Sequence, residues 1–174
     1  MPDELLVMTQ QSDLRAQFEG HVRQYSAELV QYAYARGNTL EDAGDIVQRA
    51  FLKAWQSWRS GARPQMVRAW LYRIVHNEAS NFRREARVRE RALPAREPDR
   101  AADEGTIGEE TASLLRALRK LPETFGEALV LHYLQGLSIG DVAELLGVPA
   151  GTAKSKIARG LALLRERTAG GGST

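Results

Sequence analysis

Near the C-terminus, the run from Gly151 to Gly160 can bind nucleic acid if it is helical. At about 100° per residue, Thr152, Ser155, Lys156 and Arg159 gather on one side, while Ala150, Ala153, Ile157, Leu161 and Leu164 gather on the other. Lys154 falls at the border of the apolar seam, where a long side chain reaches a phosphate more readily than a base. A helix whose packing need is met on one side leaves its free side for a ligand. Hydroxyls and cations near its N-terminus suit base edges and phosphates in a major groove. A basic helix taken singly is more often just a solvated face, so the elements around it must arbitrate.

A second constellation lies in a helix expected over 65–87. Val67, Leu71, Ile74, Val75 and Phe82 form its buried side, and Tyr72, Arg73, His76, Ser80, Arg83, Arg84 and Arg87 its other side. Trp70, Asn77 and Asn81 make a stripe along one flank. Rings and guanidinium planes stack on unpaired bases while the charges follow phosphates, so this mixture fits a nucleic acid whose bases are exposed. Core packing competes for Trp70, and a solvated arginine face is the plain alternative.

A third helix, beginning near Glu41, turns Ala43, Ile46, Val47, Ala50, Phe51, Ala54 and Trp58 to one broad face, with Trp55 at its edge. Asp45, Gln48, Arg49, Leu52 and Gln56 lie opposite, with Leu52 at the centre. A lone exposed leucine is ordinary, but one framed by long polar side chains on a rigid helix is also the form of anchor that a partner helix uses.

The elements that must position these residues are helical. In the C-terminal part, Leu114, Leu115, Leu118 and Leu121 recur at helical spacing, and Pro122 ends that helix and opens the next, which runs to Leu134 before Gly136. Ser138 and Asp141 form a capping box ahead of Ile139, Val142, Ala143 and Leu146. Gly147 closes this short helix and Pro149 starts the basic one, which is helix-turn-helix spacing. The stretch from Leu93 to Glu110 carries two prolines and two glycines with few large apolar residues, and reads as a linker. The expected architecture is all-α: a flexible extension over 1–17, a helical domain over 18–92, a linker over 93–110, a second helical domain over 111–168 and a glycine-rich tail over 169–174.

Composition agrees. The chain is 43% hydrophobic and 26% charged, which suits a soluble helical protein. It has no cysteine and three dispersed histidines, so no metal site or cofactor is expected and a reducing cytoplasm fits. No run approaches the ~20 apolar residues of a bilayer span, so no membrane insertion is expected. The net charge of +2 hides an uneven distribution: residues 59–91 hold nine Arg against three Glu, and residues 151–167 hold five Lys or Arg against one Glu. These two segments could neutralise phosphates. No nucleotide-binding glycine loop, metal cluster or nucleophile arrangement is present, which argues against an enzyme such as a recombinase.

Three segments in order resemble the sigma factors of bacterial RNA polymerase. DAGDIVQRAFLKAW (Asp42 to Trp55) looks like their core-polymerase-binding helix, and AWLYRIVHNEASNFRRE (Ala69 to Glu85) like their minus-ten promoter helix. Leu121 to Glu166 is similar to their minus-thirty-five-binding module. With only these two helical domains, the chain resembles the extracytoplasmic-function group. The resemblance implies that Asp45, Gln48, Arg49, Leu52 and Gln56 dock on the clamp coiled coil of the polymerase largest subunit, with the flap as a further contact. It implies that the Arg59 to Met66 loop, with Arg63, and the helix bearing Trp70, Arg73, Asn77, Asn81, Arg83 and Arg84 capture bases of the minus-ten element. It implies that Thr152, Lys154, Ser155, Lys156 and Arg159 read the minus-thirty-five groove, which gives Lys154 a firmer place than the wheel does. An anti-sigma protein enters as a candidate partner on the same ground. Two positions depart from the pattern: Arg49 stands where an acidic residue is common, and Lys156 replaces the usual arginine and cannot form a planar guanidinium fork. The alternative is a stand-alone helix-turn-helix regulator, which the C-terminal part alone would permit and the N-terminal part disfavours.

Overall fold

The computed structural model describes residues 2–36, 38–90 and 109–169, and every regular element among them is helical. The linker expected over 93–110 lies almost wholly outside the described residues, as do residues 170–174 of the tail. In place of the flexible extension expected over 1–17, helix α1 runs from Pro2 to Ala35. The proline suits a first helical position, where its missing N–H costs nothing. Leu14, Phe18, Val22, Tyr25, Leu29 and Tyr32 recur every three or four residues along α1 and face the core.

After α1, Asn38 turns its amide back to the Ala33 carbonyl at 2.5 Å. Thr39 caps α2 (Leu40–Arg59) by accepting from the Asp42 N–H at 3.1 Å, and Glu41 and Asp42 complement the dipole of that first turn. The seam Ala43, Ile46, Val47, Ala50, Ala54 and Trp58 is buried as the spacing predicts. Beyond a turn through Gly61, α3 (Val67–Glu90) packs on α1 and α2.

In the C-terminal half, α4 (Glu109–Arg119) ends before Pro122, and α5 (Glu123–Leu129) follows at once. Its last turn, Val130–Leu134, widens to i→i+5 bonding, with the Gln135 N–H donating to the Val130 carbonyl at 3.0 Å. The sequence marks no break there. Helix α6 (Ile139–Leu146) carries the expected capping box: the Asp141 N–H donates to Ser138 Oγ at 3.1 Å and the Ser138 N–H to Asp141 Oδ2 at 3.2 Å. Gly147, at φ 64°, takes the left-handed position that ends α6. Helix α7 (Ala150–Ala169) then crosses α5 so closely that a Cβ on Gly160 would stand 3.1 Å from the Phe125 carbonyl and the Leu129 side chain. Ala153 and Ile157 are buried, whereas Ala150, which the wheel assigned to the packed seam, is exposed on the first turn.

Ser138→Ala removes the acceptor for the Asp141 N–H at the start of α6, the helix that precedes the turn into α7. A loss of about 1 kcal/mol of stability is expected in urea unfolding, with the far-UV helical signal unchanged.

Candidate nucleic-acid interface

On α2, Asp45, Gln48, Arg49, Leu52 and Gln56 are all exposed, and Leu52 keeps 63% of its surface in solvent. Beside them an apolar groove of about 540 Å³ runs between α1 and α2, walled by Phe18, Val22, Phe51, Leu52 and Trp55. Arg49 leans toward α3, 3.9 Å from Glu85 and over the Phe82 ring.

The α3 residues are divided by their surroundings. Asn77 is exposed, Asn81 is half-buried and accepts from Arg84 at 2.9 Å, and Trp70 is half-buried with its ring tilted 6.3 Å from Trp58. Arg63 folds back to donate to the Trp58 and Ala62 carbonyls at 2.7 Å each, its guanidinium over the Trp58 ring. Trp70, Asn77 and Asn81 border a cleft of about 560 Å³ whose wall includes Lys53 and Glu78, joined as an ion pair. Neither member of that pair stands out in sequence, because each sits unremarkably on its own helix.

The structure corrects the reading of Tyr72, which the wheel placed on the open face. Its side chain is fully buried and its hydroxyl donates to Gln135 Oε1 at 2.7 Å. Burial comes first among the causes that push this phenol well above its usual pKa, so it remains a donor. The C-terminal half lies on this side of α3. Arg68 donates to the Gln135 carbonyl, Arg73 pairs with Glu144, and Arg83 pairs with Glu123 at 2.5 Å. At the centre, the Glu127 carboxylate accepts from Arg36 and from the Tyr32 hydroxyl (2.9 Å) and lies 2.7 Å from His76 Nδ1. The Arg36 side chain is 3% exposed and that of Glu127 9%. Burial pushes the Glu127 carboxyl up, but the hydrogen bond from His76 and the charge of Arg36 outweigh it, and its pKa falls below the usual value.

On α7 the arrangement is the reverse. Thr152, Lys154, Ser155 and Arg159 are exposed and Lys156 is half-buried. Lys154, Lys156 and Arg159 form no ion pair among the described residues. Lys154 is thus fully on the open side, clear of the seam border. The Ser155 hydroxyl donates to the Gly151 carbonyl at 2.9 Å, which leaves its oxygen free to accept. Among the described residues no group of three or more His, Cys, Asp or Glu could hold a metal, and no helix is long and apolar enough to cross a membrane.

A capped helix, a glycine turn and a free cationic helix define a helix-turn-helix DNA-binding protein with a second helical module attached. Comparison with known proteins makes this specific. Residues 21–89 match the model for sigma-70 region 2, and residues 111–164 the model for sigma-70 region 4. The chain is 35% identical over 150 residues to the ECF RNA polymerase sigma factor SigM of Mycobacterium tuberculosis, covering 86% of this chain and 76% of that protein. It is 34% identical over 153 residues to the ECF RNA polymerase sigma factor SigE of Mycolicibacterium smegmatis, spanning 83% of this chain and 59% of that protein. Among solved structures it resembles the sigma factor RpoE in complex with the anti-sigma factor NepR from Bartonella quintana, with TM-score 0.68 and 25% identity over 86% of this chain and 95% of that one. The chain belongs to the ECF sigma factors of the sigma-70 family.

Proposed function

We propose that this sigma factor reads the minus-thirty-five element with Thr152, Lys154, Ser155, Lys156 and Arg159 and captures minus-ten bases with α3. The observation that carries this is the face of α7 bearing Lys154, Lys156 and Arg159, which form no ion pair among the described residues, on a helix held by the capped helix-turn-helix through buried Ala153 and Ile157. On α3, Trp70, Asn77 and Asn81 border a cleft open to solvent, where a ring and two amides suit an unstacked base. Asp45, Gln48, Arg49, Leu52 and Gln56 form the docking face for the polymerase clamp, with Leu52 as its anchor. An anti-sigma protein is a further partner, supported by the complex in which the RpoE relative was solved.

In-vitro transcription with core polymerase on a pool of genomic promoters tests the reading. Core-dependent transcripts from a defined promoter set are expected, with weak duplex binding by the chain alone. A protein that binds duplex sites tightly by itself and never supports core-dependent transcription is a stand-alone regulator, and the proposal fails.

A further inference from the structure

The cleft between α2 and α3 holds a carboxylate that the capture of bases does not require. Trp70, Asn77 and Asn81 supply a ring and two amides, which serve any base, and Lys53 can serve a phosphate. Glu78 does neither, because its charge repels the phosphates of a strand. It nevertheless stands in the wall of the cleft, its side chain 9% exposed, with Lys53 Nζ donating to its Oε1. Oε2 forms no hydrogen bond among the described residues, so it remains to accept from a ligand. We propose that Glu78 and Lys53 make this cleft selective for an unpaired guanine, Glu78 accepting from N1–H and N2–H and Lys53 donating to O6. The proposal rests on the reading that the α3 cleft captures unstacked bases.

Edge chemistry decides the base. A carboxylate presents two acceptors side by side, and guanine alone sets two donors side by side on its Watson–Crick edge, with a carbonyl next to them for a cation. Cytosine and adenine each offer one amino group beside a ring nitrogen whose lone pair faces the second carboxylate oxygen. Thymine offers one N–H between two carbonyls. Size does not select, since a cleft of about 560 Å³ is larger than any base. The Lys53 side chain is 56% exposed, so its ammonium can be shared between Oε1 and a base carbonyl at little cost. Glu78 is buried and keeps its carboxylate in place.

Fluorescence anisotropy of the full chain at low salt, where phosphate contacts hold every strand, tests this with labelled thymidylate strands of about 12 nucleotides. Each carries one central guanine, adenine, cytosine, thymine or hypoxanthine, the last being guanine without its N2 amino group. The guanine strand is expected to bind about tenfold tighter than the all-thymine strand, and the hypoxanthine strand only about threefold tighter. Glu78→Gln, which keeps the shape of the side chain, should bring the guanine preference within about twofold, while Lys53→Arg, which keeps the charge and the donor, should retain it. A pair that only ties α2 to α3 would leave base preference unmoved by Glu78→Gln. Equal affinity of the parent for all strands, no difference between guanine and hypoxanthine, or a preference that survives Glu78→Gln overturns the proposal. Asn77→Ala/Asn81→Ala then separates the causes. If that variant weakens binding to every strand, the cleft captures bases and the selectivity is wrong. If it leaves binding as it was, or if the parent binds no strand, the cleft is not the base site and both readings fail.

Discussion

Leu52→Glu is expected to reduce capture of core polymerase by at least about 30-fold while leaving the thermal melt unchanged. Leu52 lies opposite the buried seam of α2 and is 63% exposed, so its replacement leaves the buried core of this chain intact. At a helix–helix docking site a central apolar anchor is worth about 2 kcal/mol or more, which corresponds to that factor. The glutamate adds a charge that must lose its water in an apolar groove walled by Phe18, Val22, Phe51 and Trp55. Pull-down with core polymerase beside a circular dichroism melt measures both quantities. Retained binding would remove Leu52 from the interface, and a collapsed melt would show that it supports the core.

Arg159→Ala, and to a smaller extent Lys156→Ala, should weaken minus-thirty-five recognition while transcription from a pre-melted template continues. Arg159 is exposed and the apolar side of α7 is occupied by Ala153, Ile157 and Leu161, so truncation leaves no cavity. If the guanidinium reaches a guanine, its loss costs about 1–3 kcal/mol and relaxes preference at one base pair. If it meets a phosphate, all sequences weaken together and the salt dependence flattens by about one ion. Lys156 is half-buried and presents a point charge without a planar fork, so the phosphate outcome is expected for it. Competition binding of holoenzyme across single-base promoter variants at two salt concentrations separates these results. Unchanged affinity and preference in both variants would show that α7 does not read DNA.

The sequence by itself determined helices α2 to α7, the capping box of Ser138 and Asp141, the left-handed Gly147, the buried seam of α2 and the exposed Leu52. All of these depend on contacts within one or two turns, where spacing in the chain is spacing in space. It also set out the polar face of α7, on which Thr152, Lys154, Ser155 and Arg159 are exposed. Helix α1 was not read from the sequence, where the first element assigned begins near Glu41, although Leu14, Phe18, Val22, Tyr25 and Leu29 recur at helical spacing and pack into the core.

Only the tertiary structure decided what lies over α3. Tyr72 bonds a residue 63 positions away, Arg73 one 71 away, and Arg36 one 91 away, distances over which helical periodicity carries no information. Periodicity shows which side of a helix is apolar and must find a core. It does not show whether a polar side meets water or the polar side of another helix, since charges paired across an interface leave the same pattern in sequence as charges left in solvent.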